Sequence, residues 1–113
     1  MDKIILYKNI VREIIEEIAI MTPSDEETET QVLIDDERGH YVLFSIGWHE
    51  ITREYVPFVH LDVRQTGKVW IQQDSTTLKV ALWLIEKGIP KEDIVLAFHA
   101  KERRELIPDF AVE

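Results

Sequence analysis

His60-Leu61-Asp62 sets an imidazole and a carboxylate on one face of an extended strand, because alternate residues of a strand point the same way. With Gln72, Asp74 or His99 close by, the pair could form an oxygen-and-nitrogen metal site or an acid/base couple. Metal sites use three or four protein ligands, and His60 and Asp62 supply two. The simpler reading is a polar cluster of His60, Asp62 and Gln72 on a half-exposed sheet face, holding no metal and no cofactor.

Other catalytic frames fail on spacing. A restriction-type nuclease needs a carboxylate two positions before a lysine on one strand, and no lysine here has one. The glycines at 39, 47, 67 and 88 lie too far apart to cradle a phosphate. None of Ser24, Ser45 and Ser75 sits in the glycine frame of a hydrolase elbow. The expectation is a protein that is not an enzyme, with metal-assisted chemistry at His60 and Asp62 as the alternative.

The elements that would position these residues follow from periodicity. Ile4, Tyr7, Val11, Ile14, Ile18 and Met21 recur at spacings of three and four, which predicts a helix over Lys3–Met21 with Asp2 as its cap and Pro23 just past its end. Strands are expected over Glu29–Asp36 and His40–His49 around a three-residue loop, Glu37-Arg38-Gly39. Pairing Asp36 with His40 puts Val32, Ile34, Val42, Phe44, Ile46 and Trp48 on one face, and Leu33, Tyr41 and Leu43 on the other.

A second hairpin is expected from Glu54–Arg64 and Lys68–Asp74 around Gln65-Thr66-Gly67. It stacks Val63 on Val69 and Leu61 on Ile71, and it gathers His60, Asp62, Trp70 and Gln72 on the opposite face. Pro57 has no amide to donate, so it marks an edge or a bulge. A second helix is predicted over Ser75–Lys87, capped by Asp74 or Ser75 and ended by Gly88, with Leu78, Ala81, Leu82 and Ile85 buried. A short strand at Asp93–Phe98 follows. The fold class is α+β, two-layered: N-terminal helix, antiparallel sheet of two consecutive hairpins, second helix and short C-terminal strand, as one domain over 1–113.

In that register Leu33, Tyr41, Leu43, Phe58 and Trp70 form an apolar outer face. Large apolar patches rich in aromatics mark association surfaces, which makes Leu43, Phe58 and Trp70 candidate partner-binding residues. Trp83 joins them on the wet side of the second helix, although Lys79, Glu86 and Lys87 could cover its ring. Self-association into a homo-oligomer would use this face or a sheet edge.

Composition limits the partners. Asp and Glu number 22 against 13 Lys and Arg, and the resulting net charge of -9 repels a phosphate backbone. Direct nucleic-acid binding is not expected. The absence of cysteine removes disulfides and thiol chemistry, and the charged breaks at Arg12, Glu13, Glu16 and Glu17 exclude a membrane span or signal peptide at the start. The expected location is cytoplasmic.

Several blocks carry a resemblance: Tyr41-Val42-Leu43, Gly47-Trp48, His60-Leu61-Asp62, the run from Gly67 to Asp74, the run from Gly88 to His99, and Phe110-Ala111-Val112. Together they resemble the XisI family, the cyanobacterial fdxN element excision controlling factors, over essentially the whole chain. The resemblance implies a regulator of developmentally programmed, site-specific excision of a DNA element, working beside a recombinase and a companion excision factor. It implies no catalytic residues. At Ser75-Thr76-Thr77-Leu78-Lys79 the chain departs from the acidic, small-residue helix start usual in the family.

Overall fold

Asp2 caps the first helix, its carboxylate accepting from the Ile4 amide at 2.8 Å. This helix, α1, covers Lys3–Met21 and buries Tyr7, Ile10, Val11, Ile14, Ile15 and Ile18 along the face its periodicity predicts. Each such side chain contributes roughly 1.5–3 kcal/mol on burial, so α1 is held mainly by its seat on the sheet. The structure is a computed structural model and describes residues 2–113.

Strands β1 (Thr28–Asp35), β2 (His40–His49), β3 (Thr52–Val63) and β4 (Val69–Asp74) form an antiparallel meander. After α2 (Val80–Glu86), β5 (Ile94–Val95) joins the far edge parallel to β4, which a crossover through a helix permits. The sheet is therefore five-stranded and mixed, in the order β1-β2-β3-β4-β5. The strand expected over Asp93–Phe98 shrinks to two residues because a 3₁₀ turn occupies Lys91–Asp93 and Leu96 already leaves the ladder. Ala111 pairs with Val95 beyond it, and α3 (Lys101–Arg104) lies between.

The first hairpin differs from its expected register by one residue. Asp35, not Asp36, stands opposite His40, and the loop has four residues. The Asp35 carboxylate accepts from the Arg38 amide at 2.9 Å, and the Asp35 carbonyl accepts from the Gly39 amide at 2.7 Å. Gly39 sits at φ +77°, and a Cβ there would lie 2.3 Å from the Val63 carbonyl oxygen, so only glycine fits. A one-residue slip reverses the faces of a strand relative to its neighbour. Ile34 and Val32 therefore pair with Tyr41 and Leu43 on the helix side, while Leu33 pairs with Val42 on the outer side. Tyr41 and Leu43 are fully buried beneath α1, which corrects their expected outward placement.

The second hairpin has the predicted stacking of Val63 on Val69 and Leu61 on Ile71. Pro57 marks a bulge. Leu43 pairs with Val59 and Phe44 with Pro57, leaving Phe58 as the extra residue of β3. A second bulge leaves Gln72 extra on β4, between the pairs Leu61–Ile71 and His60–Gln73.

Helix α2 begins at Val80 rather than Ser75. The Asp74 carboxylate accepts from the Thr76 amide at 3.0 Å and from the Val80 amide at 3.1 Å, which folds Ser75–Lys79 into a turn. Lys79 adopts φ +56°, outside the helical region. The N-cap position therefore falls to Lys79, not to Asp74 or Ser75 as expected, although the Asp74 carboxylate still holds the first helical amide from six residues away. Val80 and Leu84 are its buried residues, Ala81 and Ile85 are half-buried, and Leu82 is exposed, which rotates the predicted stripe. Trp83 leans against the core instead of facing water. Among the described residues no helix is long and apolar enough to cross a membrane.

Candidate functional site

The outer face of the sheet gathers its polar chemistry where β2 begins and β3 ends. His40 opens β2 directly opposite Asp62, and His60 precedes Asp62 by two positions on the same face of β3. His40 Nδ1 and His60 Nε2 both lie 2.8 Å from Asp62 Oδ1, and 3.5 Å from each other. The other carboxylate oxygen, Oδ2, accepts from Gln72 Nε2 at 2.8 Å and from Arg64 Nη2 at 3.2 Å. Gln72 reaches it from the β4 bulge, a common way of re-aiming a side chain.

Asp62 is only 3% exposed. Burial alone would push its carboxyl up, but hydrogen bonds from His60, Gln72 and His40 outweigh that and hold it well below the usual carboxylate range. The Arg64 guanidinium is steadied by the Trp70 ring, 3.9 Å below it. Arg38, His40, Asp62, Val63, Arg64 and Gln65 line a cavity of about 360 Å³ beside the cluster. Ionised Asp62 and two imidazoles can exchange hydrogen bonds or converge on a cation. Among the described residues His40, His60 and Asp62 are the one group of three His and carboxylate side chains whose donor atoms converge in this way.

The expected cluster of His60, Asp62 and Gln72 thus comes together, and His40 joins it unforeseen. Its signal was Pro57: a bulge there shifts the β2–β3 register so that His40 meets Asp62. Asp74 is taken up by the Thr76 and Val80 amides of the turn before α2, and His99 packs its ring on Phe98 at 4.4 Å, so neither belongs to the cluster.

The expected partner-binding residues fare differently. Leu43 is sealed in the core and cannot meet a partner. Phe58 also packs against the core, beside Met21 and Thr22 at the end of α1. Trp70 is half-buried under Arg64, with Arg104 at 5.6 Å, and Trp83 is half-buried next to Glu17, Glu86 and Lys87. An apolar outer face does exist, composed of the other alternation: Leu33, Val42, Phe44, Ile46, Trp48 and Tyr55. Phe44 and Tyr55 pack ring to ring at 5.3 Å, and the Arg53 guanidinium lies 5.1 Å from the Trp48 ring. Trp48 and Tyr55 are 53% and 60% exposed.

A helix laid over a five-stranded mixed meander, with two imidazoles and a carboxylate meeting on the open face, defines a small two-layer α+β protein. The XisI protein family matches residues 1–112, and the chain belongs to that family. Two crystal structures from Anabaena variabilis share the fold. A XisI-like protein is 34% identical with a TM-score of 0.90, covering 97% of this chain and 99% of that one. The fdxN element excision controlling factor XisI is 31% identical with a TM-score of 0.89, covering 99% of this chain and all of the other. No curated protein sequence matches the chain.

Proposed function

We propose that this chain is a non-enzymatic controlling factor for site-specific excision of an fdxN-type DNA element, acting inside the cell as a single domain through protein contacts. The observation that carries the reading is the outer sheet face of Leu33, Val42, Phe44, Ile46, Trp48 and Tyr55. It is apolar and aromatic, the composition of an association surface. Family membership supplies the process, because one structural relative is an excision controlling factor. The net charge of -9 favours protein partners over the DNA itself.

The outer face is assigned to the element's recombinase or its companion excision factor, with Trp70 as a flanking contact; Trp83, beside Glu17 of α1, lies on the helix side of the sheet. Self-association is assigned to the edge of β1 beyond Thr30, which no further strand covers, the backbone groups of Thr28 and Thr30 being already taken up by Asp25 and Ser24. Co-purification with each partner tests the first assignment. A Trp48→Glu/Tyr55→Glu variant should weaken capture about tenfold or more while leaving the fold intact, since both side chains are already exposed. Capture that the double variant leaves unchanged would sink the assignment of this face, and failure of the native chain to bind either partner would sink the reading itself. Light scattering tests the second assignment: a monomer at all concentrations removes it.

A further inference from the structure

We propose that His40 Nδ1, His60 Nε2 and Asp62 Oδ1 form a three-ligand site for a divalent transition-metal ion of zinc type, whose remaining position opens on the cavity beside Arg38 and Arg64. The three donor atoms make a triangle with sides of 2.8, 2.8 and 3.5 Å. Its circumradius is about 1.8 Å, shorter than the roughly 2.0–2.1 Å of a zinc–nitrogen or zinc–oxygen bond. An ion about 1 Å above the plane of the triangle would therefore lie at bonding distance from all three atoms, and Oδ1 parting from the two nitrogens by about half an ångström would open the ligand angles to tetrahedral. Two imidazoles and one carboxylate suit zinc and its first-row neighbours, and they disfavour magnesium and calcium, which take oxygen ligands.

The surroundings support a ligand role. In metal sites the coordinating carboxylate is itself held by outer hydrogen bonds, and Asp62 has that arrangement: Gln72 and Arg64 occupy Oδ2, leaving Oδ1 to the imidazoles. Arg64 approaches from the Oδ2 side and is anchored on Trp70, so its charge stands behind the carboxylate. Asp62 is buried and fixed while His40 keeps half of its side chain open, so the site has a rigid floor and an accessible side. Three protein ligands and an open position form the pattern of a site that admits water or an exogenous ligand. With Asp62 and Arg64 cancelling in charge, a bound divalent ion would leave the cavity cationic, which favours an anionic oxygen as the fourth ligand.

The competing arrangement is a plain hydrogen-bond network in which both rings donate to Oδ1. Titration calorimetry of untagged, chelator-treated full-length protein with Zn²⁺ separates the two, with Co²⁺ as a spectroscopic stand-in. The expected result is one ion per chain and a Co²⁺ visible spectrum of four-coordinate intensity, with Mg²⁺ failing to compete. His40→Ala and His60→Ala should each weaken binding about tenfold or more, Gln72→Leu about tenfold through the lost outer hydrogen bond, and His99→Ala not at all. Asp62→Asn should abolish binding, but its buried position makes it a poor sole witness, and the exposed His40→Ala keeps the test open if Asp62→Asn does not fold. Equal Zn²⁺ affinity in native, His40→Ala and His60→Ala proteins, or a Co²⁺ spectrum of the aqueous ion, would overturn the proposal. Neither outcome touches the capture experiment on the apolar face.

Discussion

Leu43→Ala tests the hairpin register on which both faces depend. In the structure Leu43 is fully buried, facing α1 together with Tyr41, Val59 and Leu61. Removing its isobutyl group forfeits roughly 1.5–3 kcal/mol of burial and leaves a cavity that a close-packed core only partly fills, for a total of about 3 kcal/mol within a 2–5 kcal/mol range. For a chain of this size each kcal/mol lowers the melting temperature by about 4 °C, so the shift should be roughly 12 °C. Leu33→Ala is the matched control: the same atoms are lost from the outer face at a site 45% exposed, and the cost should stay below about 1 kcal/mol. Urea denaturation followed by tryptophan fluorescence measures both, with an unchanged m-value showing that the unfolded ensemble is the same. The register with Asp36 opposite His40 would put Leu43 outward with Leu33, so a Leu43→Ala cost no larger than that of Leu33→Ala refutes the reasoning.

Gly39→Ala forces a left-handed φ of +77° on a residue with a Cβ and drives that atom against the Val63 carbonyl. A loss of about 2–3 kcal/mol is expected in the same urea assay, from backbone strain plus the weakened hydrogen bond from the Val63 amide to the Gly39 carbonyl. His49 is bridged by Glu54 and Glu27, and these hydrogen bonds raise its pKa above the usual 6.5. The stability it lends is present below pH 6.5 and lost as pH rises through the raised value; proton NMR should show the late titration, and His49→Gln should flatten that pH dependence. Tyr7 is pushed up to about 12 by burial and by its hydrogen bond to Asp93. Its contribution is intact below pH 10 and fades toward pH 12, so tyrosinate absorbance should show a late step that Tyr7→Phe removes.

What could be read in advance tracks how local the deciding physics is. Helix α1 was legible because its cap, its apolar face and its terminating proline all lie within the segment. The second hairpin was legible because Gln65-Thr66-Gly67 sets its register through a turn closed by its own neighbours, with the Gly67 amide donating to the Arg64 carbonyl. In the first hairpin the adjacent acids Asp35 and Asp36 could each flank the loop. Part of the choice falls to a distant contact, Gly39 against Val63. Helix α2 starts later than its apolar spacing implies: Leu78, Ala81, Leu82 and Ile85 keep helical spacing, but the Asp74 carboxylate competes for the Thr76 and Val80 amides and wins. His40 carries no local signal because its partner lies across β2–β3, in a register that depends on the bulge at Phe58.

The bulge at Phe58 explains why core and polar cluster occur together. The tight turn between β2 and β3 pairs His49 with Thr52, and that register runs unbroken through Phe44 and Pro57. Continued without a bulge, it would bring His40 opposite Leu61 and Tyr41 opposite His60, turning His60 and the Asp62 carboxylate toward the core and Leu61 toward the open face. Burying an unpaired carboxylate costs several kcal/mol, far more than one irregular step in a ladder. The extra residue restores the alternation: Tyr41 meets Leu61 beneath α1, and His40 meets Asp62 on the open face. A strand whose sixth residue, Pro57, cannot donate an amide is a low-cost place for that step, since no ladder hydrogen bond from Pro57 is sacrificed. The same irregularity that closes the core therefore assembles the His40–His60–Asp62 triangle, and one proline in the sequence marks it.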